Sequence, residues 1–446
     1  MMINILFNIF LIIILVMVYA FLKKRWQSID LFDIYIISVA VYFGVYSLVD
    51  SLFNNLSNYN LLLIIWTHLL VFITTAIMWL CTRLLPNKVR RFIELRYLIE
   101  ILKKTTLASN VLFFLFIIII TLYTYFKYGI LGKADLSLLN DSLPYSLVSI
   151  RNLVPSIAYM LCLTTIIKLK SNAKLNFKYI LWAIMLLGSL FIIFIYGRRM
   201  FFGVLLLQIL IFSILANKNI FKMKNSKNIM ILAIVMMLAS NIFQNYRSII
   251  YSVNSNSSNV PGFSESILSF DKTTDNLKDR TAIWRFNYLI TEKHLKGNLR
   301  VSEPGITVAQ GFANAIPSFL LPSKSIYDLD STVALGASLP ILDYPSNLYA
   351  YLEFDFGYLS IFMLTIIFLP IMIILIILLI ATKSHPILFA FVACNIINNL
   401  MNVETTYSFL LIMLRDSFFV TSIYTILYLI YIKPLLKTTK VSVAFK

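Results

Sequence analysis

Gly357 to Ala381 reads GYLSIFMLTIIFLPIMIILIILLIA, without one charged residue, and Lys383 follows two positions later. As a helix rising about 1.5 Å per residue, such a run crosses about 30 Å of hydrocarbon. Ten further runs have the same character, at roughly 3–22, 31–50, 61–82, 107–127, 147–167, 179–196, 200–217, 229–246, 386–403 and 407–432. With 60% hydrophobic residues and a mean hydropathy of +0.85, a soluble globule is excluded. The sequence predicts an all-α polytopic membrane protein of about 11 transmembrane helices with one large extracytoplasmic loop. Residues 1–246 form an N-terminal bundle of about eight helices, 247–345 the loop, and 346–446 about three helices and a short cytoplasmic tail. The first run is too long for a signal-peptide core and lacks a small-residue cleavage site, so it reads as a span. No internal repeat and no matching pair of broken helices suggests an inverted-repeat transporter.

Basic residues alternate along the short loops. Lys23, Lys24 and Arg25 follow the first span; Arg83, Lys88, Arg90, Arg91, Arg96, Lys103 and Lys104 the third; Lys168, Lys170, Lys174 and Lys178 the fifth; Lys218, Lys222, Lys224 and Lys227 the seventh. Lys383 follows the ninth, and four lysines close the chain. The positive-inside rule then places the N-terminus outside and the C-terminus in the cytoplasm. The net charge of +18 faces anionic inner-leaflet lipid, which leaves no need for a nucleic-acid partner. One turn breaks the pattern. Gly197-Arg198-Arg199 puts two guanidiniums at the outer surface with almost no loop around them.

The loop 247–345 holds nine Lys/Arg and nine Asp/Glu, too long and too neutral to orient anything. Asp275 to Lys296 reads as an amphipathic helix lying on the membrane surface or on the bundle. Its stripe is Leu277, Ile283, Phe286 and Ile290; Asp275 is the N-cap and Gly297 the stop. Arg280 stands four residues before Trp284, close enough to stack on the indole. Two prolines bracket the apolar strip Ile316 to Pro322, which reads as dipping to the interface. Ser346 to Phe356 is helical, with Glu353 and Asp355 at the mouth of the ninth span and Asp355 a solvated end-cap.

Arginine grips phosphate with two parallel hydrogen bonds and keeps its charge. Arg198, Arg199 and Arg280 therefore suit a lipid diphosphate at headgroup depth, with Arg285 and the intramembrane Arg415 as second choices. If the diphosphate leaves, these groups stabilise the charge that develops on it. An acceptor hydroxyl needs a positioned base, for which Asp343, Glu353 and Asp330 are candidates, with His294 a further one. Arg415 is equally read as a structural partner of Glu404. His68 and His385 read as structural. Cys81, Cys162 and Cys394 lie in spans and form no disulfide or metal spacing.

Gly197-Arg198-Arg199, the strip Ile316-Pro317-Ser318-Phe319-Leu320-Leu321-Pro322 and the approach Phe354-Asp355-Phe356-Gly357 to a span together resemble the Wzy-type O-antigen and oligosaccharide repeat-unit polymerases. O-antigen ligases share much of this pattern but carry His-Asn where this chain has Ser346-Asn347. The resemblance implies a GT-C-like glycosyltransferase at the outer face of the bacterial cytoplasmic membrane. It would move a glycan from undecaprenyl diphosphate onto a new lipid-linked repeat unit, using no metal, no nucleotide sugar and no other cofactor. Its partners would be the lipid-linked donor and acceptor, the bilayer and a chain-length regulator protein. The alternatives are a flippase or other transporter of lipid-linked oligosaccharide, which needs charges along a central cavity, and an O-antigen ligase.

Overall fold

The computed structural model describes residues 30–45, 47, 50, 60–128, 145–171, 177–196, 282–301, 303–316, 320, 327–339, 347–401, 407–427 and 430. Five helical runs among them are long and apolar enough to cross a membrane: Leu61–Arg83, Leu107–Tyr128, Ile150–Leu169, Leu348–Thr382 and Tyr407–Ile426. Shorter apolar helices cover Leu31–Gly44, Phe177–Ile193 and Pro386–Met401. These fall on the expected second to sixth and ninth to eleventh spans. The expected spans at 3–22, 200–217 and 229–246 lie outside the described residues. The described residues thus form an all-α membrane protein, with Leu112, Ile119 and Phe126 among the large apolar side chains left on its surface.

In chain order the helices are α1 (Leu31–Val39, continued by a π-helical turn Ala40–Val45), α2 (Leu61–Arg83), α3 (Asn87–Ile93), α4 (Leu95–Lys104), α5 (Leu107–Tyr128), α6 (Tyr145–Ser171) and α7 (Phe177–Ile195). Then come α8 (Ala282–Leu295), α9 (Ile306–Ala315), α10 (Leu329–Gly336), α11 (Leu348–Phe356), α12 (Ser360–Thr382), α13 (Pro386–Met401) and α14 (Tyr407–Leu427).

One end of the bundle is basic. The start of α1 is closed by a reciprocal capping box: the Asp30 carboxylate accepts from the Phe32 and Asp33 N–H groups, and Asp33 accepts from the Asp30 N–H. Arg83, at the end of α2, bonds both carboxylates while lying over the Trp79 ring, and Arg90 comes within 3.6 Å of Asp30. A buried carboxylate pair needs such partners, because a lone buried charge is costly. Lys168 of α6 reaches the Lys103 carbonyl, and Lys383 after α12 sits 5.9 Å over the Phe92 ring. The basic loops after the third, fifth and ninth expected spans therefore meet on one side.

The other end is where the chain departs from simple spans. By length and composition Leu348–Thr382 is one apolar run. The structure turns it back on itself at Gly357, whose φ of 53° and ψ of −127° suit only glycine. Tyr349 and Phe368 belong to opposite limbs, yet both touch Tyr35: Tyr35 donates its hydroxyl to Tyr349 (3.1 Å) and stacks on Phe368 (5.4 Å). Tyr349 also shares a hydrogen bond with Thr75 (2.7 Å), about 22 Å along α2 from Asn60. Helix α11 is thus a re-entrant limb that starts deep in the bundle and runs back toward the Asn60 end. Its residues Leu348 to Asp355 are all buried.

The loop helix α8 is likewise sunk into the bundle, which settles the choice between membrane surface and bundle. Tyr288 accepts from the Asn60 N–H at the start of α2 (3.0 Å). One turn earlier, Trp284 donates to His68 (3.0 Å), about 12 Å further along α2. The expected stripe residues Ile283, Phe286 and Ile290 are fully buried, and Gly297, at φ 66°, lies just past the helix end. The helix is described from Ala282, so Asp275 and Leu277 lie outside the described residues.

Candidate functional site

The C-terminal turn of α8 meets the outer half of α11. Glu353 is 1% exposed, and its two carboxylate oxygens are taken separately. Thr291 donates its hydroxyl to Oε2 (2.7 Å), and His294 Nδ1 lies 3.1 Å from Oε1. A carboxylate that accepts from Nδ1–H leaves the lone pair on Nε2 and orients the ring, the arrangement that makes an imidazole a directed base. The ring is held from the side by Tyr358, centroid to centroid 4.5 Å. Nε2 hangs over Gly357, where an added Cβ would sit 2.9 Å from it. The turn that reverses the chain thus also makes room for the ring. The His294 side chain keeps 16% of its surface open, so the buried acid reaches the outside through the imidazole.

Asp355 faces away from this pair, about 200° round α11 from Glu353. It is 4% exposed, not a solvated end-cap, and it caps a different helix. Its carboxylate accepts from the Thr307 N–H (3.1 Å), the Thr307 hydroxyl (2.6 Å) and the Val308 N–H (3.4 Å), at the N-terminus of α9. Those N–H groups have no intrahelical partner, and the helix dipole favours an anion there. At the other end of α9, Arg415 donates to the Ala315 carbonyl (3.2 Å). The helix is therefore held by charges of the right sign at both ends. It also lies tight on α14: a Cβ on Gly311 would come 2.7 Å from Tyr407 Cβ.

Of the expected diphosphate ligands, Arg198, Arg199 and Arg280 lie outside the described residues, as does the expected acid Asp343. Arg285 is engaged by a wholly buried Asp50, through Nε (2.8 Å) and Nη2 (2.6 Å). Arg415 bonds Asp416 through Nε and Nη2, both 2.9 Å; Glu404, its expected partner, is outside the described residues. Among the expected acids, Asp330 is half-buried in the first turn of α10 and accepts the Tyr351 hydroxyl. Glu353 is paired with a titratable side chain that reaches the surface. Trp284, expected to stack on Arg280, has His68 (5.8 Å) and Tyr288 (5.7 Å) beside its ring. His294 gains its weight from a partner 59 positions away, which no local spacing reveals.

No family model matches the chain, and neither the curated proteins nor the solved structures contain a match to it.

Proposed function

We propose that the chain is a membrane glycosyltransferase that polymerises undecaprenyl-diphosphate-linked oligosaccharide repeat units at the outer face of the cytoplasmic membrane. The observation that carries this reading is the oriented pair His294–Glu353 at the Asn60 end of the bundle, opposite the basic end. Transfer of a glycan to a sugar hydroxyl asks for one proton acceptor near the headgroup level, and an imidazole backed by a buried carboxylate supplies it. The acceptor oxygen bonds to the anomeric carbon of the donor, and His294 Nε2 takes the hydroxyl proton. The bond from that carbon to the diphosphate breaks, and its electron pair leaves with the lipid diphosphate. Glu353 keeps Nδ1 protonated and stabilises the imidazolium that forms. The donor diphosphate is assigned to Arg198, Arg199 and Arg280, since Arg285 and Arg415 already hold carboxylates.

The test is complementation of a strain lacking the gene. His294→Asn and Glu353→Gln should each lower polymer formation by about 10²-fold or more. Single repeat units should still reach the surface, with normal amounts of protein in the membrane. A polysaccharide ladder of wild-type length in His294→Asn would refute the base assignment.

A further inference from the structure

Two buried polar atoms near the start of α11 have no hydrogen-bond partner. Asn347 is wholly buried; its Oδ1 accepts from the Ala350 N–H (3.0 Å), but its Nδ2 bonds nothing. Tyr407, 1% exposed at the start of α14, leaves its hydroxyl unbonded. Tyr351 connects the two. It follows Asn347 by one turn on the same face of α11, its ring stands 6.2 Å from the Tyr407 ring, and its hydroxyl is donated to Asp330. Interiors rarely leave such groups unpaired, and each one left asks for an explanation, an unseen partner among them.

The chemistry of that partner follows from its surroundings. Asn347 Nδ2 can only donate, so the partner must accept. The Tyr407 hydroxyl can do either. One carboxylate stands close by, Asp330 on Tyr351. Arg415, two turns along α14, is engaged by Asp416 and the Ala315 carbonyl. An anion would meet the like charge of Asp330, whereas a hydroxyl group accepts from the amide and donates to an oxygen. Flat phenol rings add apolar faces of the kind that pack on a sugar ring.

We propose that Asn347, Tyr351, Asp330 and Tyr407 form a second binding site, for a neutral sugar, on the face of α11 opposite the His294–Glu353 pair. The site does not depend on the glycosyl-transfer reading.

Two substitutions separate a site from a packing defect. Asn347→Asp keeps the oxygen that caps α11 and removes the donor; Tyr407→Phe removes one hydroxyl. The purified full chain in detergent is mixed with free glucose, galactose, rhamnose or N-acetylglucosamine, or with inorganic phosphate. Hydrogen exchange of 347–356 and 407–414 and the melting temperature are then followed. At least one sugar should slow exchange in both segments and raise the melting temperature, and phosphate should not. Each substitution should weaken that response about tenfold, the weight of one hydrogen bond. His294→Asn should leave it intact, so loss of polymerisation and loss of sugar binding are read independently. The proposal is overturned if no sugar acts, if phosphate acts instead, or if Tyr407→Phe melts higher while keeping the full sugar response.

Discussion

Arg285 and Asp50 stand 235 positions apart and are joined by two short hydrogen bonds. Asp50 is wholly buried, while the Arg285 side chain keeps about a third of its surface open. Removing the guanidinium takes two hydrogen bonds and a counter-charge from a buried carboxylate, so Arg285→Ala should cost about 2 kcal/mol, less than a fully buried pair would. The double substitution Asp50→Asn, Arg285→Gln should recover most of that loss and most of the polymer. An arginine needed for phosphate would stay inactive in the double variant, so the ladder of that strain decides between the two roles. Gly357 offers a sharper lesion. Gly357→Ala forces a side chain into a glycine backbone region and onto His294 Nε2; it should lower stability by about 1–3 kcal/mol and shorten the ladder. The sequence marks Arg285 and Glu353 as charges in apolar surroundings, which is a real signal. It does not mark their partners, because Asp50 and His294 are brought to them by helix packing and not by spacing along the chain.

At the scale of elements, α9 depends on Asp355 more than on its own sequence. Its flanking residue is Gly305, which makes no side-chain cap, and the carboxylate from α11 takes that place. Asp355→Ala should therefore uncap α9 at a cost of about 1 kcal/mol, seen as faster hydrogen exchange confined to 306–315. Unchanged exchange there would show that packing on α14 holds the helix unaided. The spans were legible because length and apolarity dictate them: 61–82, 107–127, 147–167 and 179–196 fall within a few residues of α2, α5, α6 and α7. The helix Ser346 to Phe356, ending before Gly357, was legible too and matches α11; that it folds back into the bundle as a re-entrant limb was not, since α11 and α12 together make one apolar run. What sets α11 apart from α12 is composition. Asn347, Glu353 and Asp355 lie within nine positions of an otherwise apolar helix, and Gly357 stands where the chain reverses.

For the whole molecule, sequence and structure make one joint statement about polarity. The basic ends of α2, α4, α6 and α12 gather with α3 on one side, while Asn60, Tyr288, His294 and Gly357 lie toward the other. Charge in the short loops orients a membrane protein during insertion. The side with Arg83, Lys88 and Lys103 should therefore face the cytoplasm, and the His294 side the exterior. Single cysteines test this directly. Cys162 and Cys394 are buried and Cys81 half-buried, so a Cys81→Ser background contributes little labelling of its own. In it, Glu303→Cys, at an exposed position beside α9, should react with a membrane-impermeant maleimide in intact cells. Lys88→Cys, exposed in α3, should react only once the membrane is opened. The reverse pattern would put the imidazole pair on the cytoplasmic side, and the reaction proposed for the outer face would have to be abandoned even if His294 proved essential.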